Sequence, residues 1–188
     1  MVKLISSGLL VALVLVAACG QKPADASRKA APPNLAAIAD DQVEYAILDY
    51  VYARMNGHDE EAEILATLPS GIRALYVTAG VEDEVNNGGF NQYYWNSTGQ
   101  FADQAVAAFE FFGAHEHAEL MREANRIHAA EKAEIEKFKE QGTLQAFSDS
   151  YKVSKLGPLD ERFYKMDENL SALRVAKIRS DPALFTEQ

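Results

Sequence analysis

From Asp40 onward the apolar residues recur three and four positions apart, and no stretch alternates apolar with polar as a half-buried strand does. Val43, Ala46, Ile47, Tyr50, Val51 and Met55 fall on one helical face. Asp41 is placed to cap that helix, with Glu44 three residues on as in a capping box, and Gly57 to end it. A short acidic helix is expected over Asp59–Leu68, before Pro69, and another from Ile72 to about Val85. Phe101, Ala105, Ala108, Phe109 and Phe112 form a further stripe, followed by Leu120, Met121, Ala124 and Ile127. Leu159, Phe163, Met166, Leu170, Leu173 and Ile178 supply the last faces. No fixed-period repeat is present. The pattern predicts an all-α fold: a single domain over residues 40–188, a compact multi-helix bundle of about seven or eight helices. Apolar residues make up 48% of the chain, enough for a core and against intrinsic disorder.

The preceding residues read differently. Lys3, an apolar run from Leu9 to Val16 and the small residues Ala17-Ala18 lead to Cys19, the chain's one cysteine. The run is too short for a permanent membrane helix, which needs about 20 apolar residues, and the order is that of an export signal. Val16-Ala17-Ala18-Cys19 resembles the lipobox of bacterial lipoproteins. That resemblance implies a signal peptide over residues 1–18, a diacylglycerol thioether and acylated amine on Cys19, and a lipid anchor to the cell envelope. Gly20 after the cysteine implies the outer membrane, facing the periplasm, in a cell with two membranes. Residues 19–39 carry three prolines and little apolar bulk, so they are expected to be a flexible tether.

Charge is unevenly distributed. Residues 40–119 hold fifteen acids against Arg54 and Arg73, a net of −13, within a chain whose total is −10. Asp59, Glu60, Glu61 and Glu63, with Glu82 and Asp83, are the densest clusters and form the candidate acidic binding surface. Such a field steers a basic protein partner and is screened by salt. It argues against nucleic acid as a ligand, because phosphates require clustered Lys and Arg.

No set of catalytic residues stands out. One cysteine excludes a disulfide framework and zinc sites built on cysteine pairs. His115 and His117 are two apart and would point to opposite sides of a helix, so they are not expected to share a metal ion. No phosphate-binding loop or nucleophile elbow is present, and no cofactor is implied. The chain is therefore expected not to be an enzyme. One alternative is a catalytic site in the polar cluster of Glu84, Asn86, Asn87, Gln92, Tyr93 and Asn96, which would have to open onto a pocket.

That cluster belongs to the segment Glu84-Val85-Asn86-Asn87-Gly88-Gly89-Phe90-Asn91-Gln92-Tyr93-Tyr94-Trp95-Asn96-Ser97-Thr98-Gly99. The paired glycines allow a sharp turn between two helices. Phe90, Tyr93 and Tyr94 then face the core, and Asn87, Gln92 and Asn96 are placed to bond the backbone groups that the turn frees. The segment resembles the signature of a bacterial domain-of-unknown-function family whose namesake is a DNA-mimic protein. Leu159-Asp160, Phe163-Tyr164, Leu170, Ile178, Asp181-Pro182 and Phe185 extend the likeness over roughly Asp40 to Phe185. The resemblance implies an all-helical fold, no established catalysis and, as in the namesake, a homodimer. It also implies an alternative role, sequestering a DNA-binding protein on an acidic surface. The motif itself, from Glu84 to Gly99, reads as scaffold.

Overall fold

The three-and-four spacing closes into helices throughout a computed structural model that describes residues 31–55 and 61–187. Cys19, Gly57, Asp59 and Glu60, the signal segment 1–18 and most of the expected tether lie outside the described residues. Among the described residues there are eight α-helices and no strand: α1 (Asp40–Arg54), α2 (Glu61–Thr67), α3 (Ser70–Trp95), α4 (Ala102–Phe112), α5 (His115–Lys139), α6 (Leu144–Val153), α7 (Gly157–Tyr164) and α8 (Leu170–Ser180). Short 3₁₀ turns stand at Leu35–Ala37, Ser97–Phe101 and Pro182–Phe185. None of the described helices is long and apolar enough to cross a membrane.

α3 is the axis of the bundle, because buried residues recur along it from Gly71 to Tyr94. Ile72, Leu75, Val81, Val85, Phe90 and Tyr93 are each at most 1% exposed. α1, α4, α5, α6 and α7 all pack against it, and so do the turns around Ser97 and Pro182. Phe185 is fully buried against Phe111 and Phe112, which ties the end of the chain to α4.

Two local expectations are corrected. α1 starts at Asp40 after Ala39, with no side-chain cap, and Asp40 and Asp41 both lie in its first turn, where negative charge suits the helix dipole. Glu44 does not close a capping box. It accepts instead from Ser171 and from the Arg174 guanidinium of α8, at 3.3 Å for the latter. A buried cation is a stronger partner than one exposed amide. Nor does the helix begun at Ile72 end near Val85: α3 continues to Trp95 across a kink at Gly88–Gly89.

Two arginines of α8 pair with part of the acidic excess of residues 40–119. Arg174, 3% exposed, sits between Glu44 and Glu82 and also donates to the Thr78 hydroxyl at 3.1 Å. Arg179 pairs with Asp40 at 2.7 Å and bonds the carbonyls of Leu35 and Ile38. Bases from α8 thus fasten α1 to α3 with carboxylates that sequence places in the acidic half.

Candidate functional site

The kink in α3 follows from backbone geometry. Gly89 has φ +75° and ψ 179°, a region essentially restricted to glycine. A side chain there would also run into the carboxylate of Asp160, whose Cγ would lie 2.6 Å from the added carbon. The groups freed by the kink find partners far along the chain. Asp160 Oδ1 accepts the Phe90 N–H at 2.8 Å, and the Tyr151 hydroxyl donates to the Gly88 carbonyl at 2.8 Å. The Tyr164 hydroxyl donates to the Val85 carbonyl, also at 2.8 Å. α6 and α7 therefore clamp the kink from outside.

The motif's own side chains do something other than expected. Gln92 and Asn96 do not bond the freed backbone: their amides donate to Glu84 Oε2 at 2.7 and 2.8 Å, and the Thr98 hydroxyl donates to Glu84 Oε1 at 3.2 Å. Glu84 thus ties the two halves of α3 together as a charged acceptor. Asn86 and Asn87 are exposed. Phe90, Tyr93 and Tyr94 are buried. The Tyr93 hydroxyl has no hydrogen-bond partner among the described residues, and burial, with Asp103 nearby, pushes its pKa upward. Tyr93 therefore belongs to the core and not to the polar cluster. A carbon added at Gly99 would lie 2.8 Å from the Tyr93 carbonyl, so its missing side chain lets the following turn lie against α3. Asn87, Gln92 and Asn96 border an open groove of about 600 Å³ shared with Trp95, Lys139 and the start of α6. Asp160, Tyr151 and Tyr164 went unassigned in the sequence because nothing local marks a residue that bonds a backbone 63 to 79 positions away.

His117 turns inward and stacks near Phe109 at 5.5 Å, with Nδ1 2.6 Å from Glu168 Oε2. Glu168 also accepts the N–H groups of Glu116 and His117, so it caps the start of α5 from outside the helix. Burial raises its pKa, but these three hydrogen bonds outweigh that and hold it below the ordinary glutamate value. His115 is exposed on the same helix and does not join His117. His128 is half-buried and stacked on Tyr94 at 4.0 Å; burial, then Lys139 and Lys132, lower its pKa.

The candidate acidic surface is rearranged by folding. Glu61 is 1% exposed: it accepts from the Tyr76 hydroxyl and, at 2.7 Å, from Gln100. Glu82 pairs with Arg174 at 2.6 Å. Those two leave the free surface, while Glu63 and Asp83 remain exposed on it. α1 adds residues that its sequence signals only by their absence from the buried stripe. Asp41, Tyr45, Asp49 and Tyr52 are exposed at intervals of four, four and three, which aligns them on one side of the helix. Tyr45 is 66% and Tyr52 52% exposed. Partial burial raises the Tyr52 pKa, and the charges of Asp83, Glu61 and Asp49 raise it further. Asp83, although exposed, is itself raised, first by partial desolvation of its carboxyl and then by Glu82. Asp49 and Asp83 have no ion pair among the described residues.

No curated protein and no solved structure matches the chain. The model of one protein family, described as DMP19-like protein, matches residues 66–180. That span runs from the end of α2 to the end of α8 and takes in the clamped kink with every partner that holds it. It covers well over half of the chain, which therefore belongs to the DMP19-like family, the DNA-mimic family that the Gly88–Gly89 segment resembles.

Proposed function

We propose that this protein is a non-enzymatic binding module, held at the cell envelope by lipid on Cys19, that captures a basic protein on the face made by α1 and Asp83. The observation that carries the binding role is the row Asp41, Tyr45, Asp49 and Tyr52, with Asp83 close by. Exposed tyrosine among unpaired carboxylates suits an arginine-rich partner, since a guanidinium pairs with the carboxylate and stacks on the ring. The internal bonding of Glu84 supports a structural role for the motif, because its carboxylate is already taken by three donors. The anchor rests on the lipobox-like Val16-Ala17-Ala18-Cys19.

Two experiments test the halves separately. Palmitate labelling with membrane fractionation should mark the wild type and not Cys19→Ala; absence of label from the wild type defeats the anchor. Envelope proteins retained on the purified protein at low salt should be released at moderate salt and lost with Asp49→Asn/Asp83→Asn. Retention indifferent to both defeats the acidic-face reading.

Family membership favours a second reading, in which the same face stands in for DNA phosphates and sequesters a DNA-binding protein. That role needs the protein in the cytosol, so the fractionation also separates the two readings.

A further inference from the structure

We propose that α6 is a flap: it undocks from α3 and α5 while the rest of the bundle stays folded, opening the groove beside Trp95 and releasing one of the three ties on the α3 kink. Every other described helix places side chains in the shared apolar core, and α6 places none. Of its residues only Ala146 and Ser150 are buried. Apolar burial is the main favourable term in docking one helix on another. The element with least of it opens most readily.

Polar contacts hold α6 instead. The Asn91 amide donates to the Ser150 hydroxyl at 2.8 Å, and the Tyr151 hydroxyl donates to the Gly88 carbonyl. Just beyond the helix, Glu131 of α5 accepts the Ser154 hydroxyl at 3.1 Å and the Lys155 N–H at 2.9 Å. Each of these bonds is exchanged for one with water on opening, so its net hold is small. Among the described residues, the ion pair that α6 makes, Lys152 with Asp149, lies within the helix itself and fastens it to nothing else. Its aromatic contact with α3 is Phe147 against Trp95, ring centres 5.0 Å apart, and both residues are only half-buried.

The flanking chain lets α6 move. Gly142, in the turn from α5, has φ +62°, and nothing lies within 4 Å of where a side chain would begin. The backbone can swing there without collision. At the other end Leu156, 2% exposed, pins the connection to α7 in the core. An isolated helix as short as α6 is marginal in water, so undocking also unravels it. Opening removes the groove wall made by Thr143, Leu144 and Phe147. It bares the buried Asn91 amide and frees the Gly88 carbonyl, while Asp160 and Tyr164 of α7 keep their hold on the kink. The opened cleft presents an amide and a backbone acceptor beside an indole ring, a surface that the closed bundle hides.

Hydrogen exchange of the purified full-length protein, read by mass spectrometry at neutral pH, tests the flap. The amides of residues 147–153 should exchange together, about a hundredfold or more faster than those of residues 77–85 in α3. Tyr151→Phe removes one hydroxyl from an exposed ring. It should speed exchange in α6 about tenfold and raise acrylamide quenching of Trp95, the chain's single tryptophan, with exchange in α4 unchanged. Protection of α6 equal to that of α3, a gradient that marks fraying from one end, an unchanged α6 in Tyr151→Phe, or an effect of that variant spread equally over α4 would each overturn the proposal.

Discussion

Asp160 accepts the Phe90 amide at 2.8 Å while its carboxylate occupies the space beside Gly89 where a side chain would project. One residue of α7 thus satisfies the kink of α3 and forbids any side chain at its sharpest point. The kink holds its shape because geometry and hydrogen bonding converge on the same two glycine-flanked peptides.

Gly89→Ala should therefore be among the costliest single-methyl additions in this chain. Both the backbone angle and Asp160 oppose it, and a loss of about 3 kcal/mol is expected. Gly113→Ala is the control, since Gly113 also has positive φ, at 76°, but nothing lies within 4 Å of the added carbon. It should lose only about 1 kcal/mol. Urea denaturation of both variants measures the difference, and equal losses would remove Asp160 from the explanation.

Burial raises the Asp160 pKa even though the Phe90 N–H pulls it down. A carboxyl with a raised folded-state pKa opposes folding when ionised, and this opposition fades as pH falls through the folded value toward the ordinary one. Asp160→Asn keeps an acceptor for Phe90 without the charge. It should be neutral or stabilising at pH 7, with its advantage shrinking in acid. Asp160→Ala should lose about 2 kcal/mol, because the Phe90 N–H is then unsatisfied. Melting temperatures across pH 4 to 7 test both; an Asn variant as unstable as Ala would refute this.

Glu168 has the opposite sign. With its folded-state pKa lowered, the stability it contributes is present above the ordinary glutamate pKa and is lost as pH falls through the lowered folded value. Glu168→Gln should cost about 1–2 kcal/mol at pH 7, and the gap to wild type should close in acid. A gap constant with pH would show that the charge is irrelevant to the α5 cap.

Removing Arg174 leaves Glu44 and Glu82 facing each other without their shared cation. Arg174→Ala should cost about 3 kcal/mol, whereas Arg174→Ala combined with Glu44→Gln and Glu82→Gln should recover part of the loss. Chemical denaturation of the single and triple variants reads this; an equal loss in both would mean that packing, not charge, dominates.

On the acidic face, Asp83→Asn should be neutral or slightly stabilising, because partial desolvation and Glu82 already disfavour its charge. The same change, with Asp49→Asn, should weaken capture of a basic partner. Stability that holds while binding falls would mark these carboxylates as functional; binding that is unchanged would not.

Helix content was legible because a helix is local: residues three and four apart meet whatever the rest of the chain does, so Val43, Ile47 and Val51 disclose a buried face on their own. The bend at Gly88–Gly89 was legible for the same reason, since only glycine takes that backbone angle easily. The partners of the bend were not, because Asp160, Tyr151 and Tyr164 come within reach only when α6 and α7 dock on α3. Charge was legible as a sum and illegible as a surface. Sequence alone established that residues 40–119 carry an excess of thirteen acids. Tertiary structure decided that Glu61 is buried and Glu82 paired while Asp49 and Asp83 face outward beside exposed tyrosines. Coulomb attraction depends on distance in space, and that distance is set only when the helices pack.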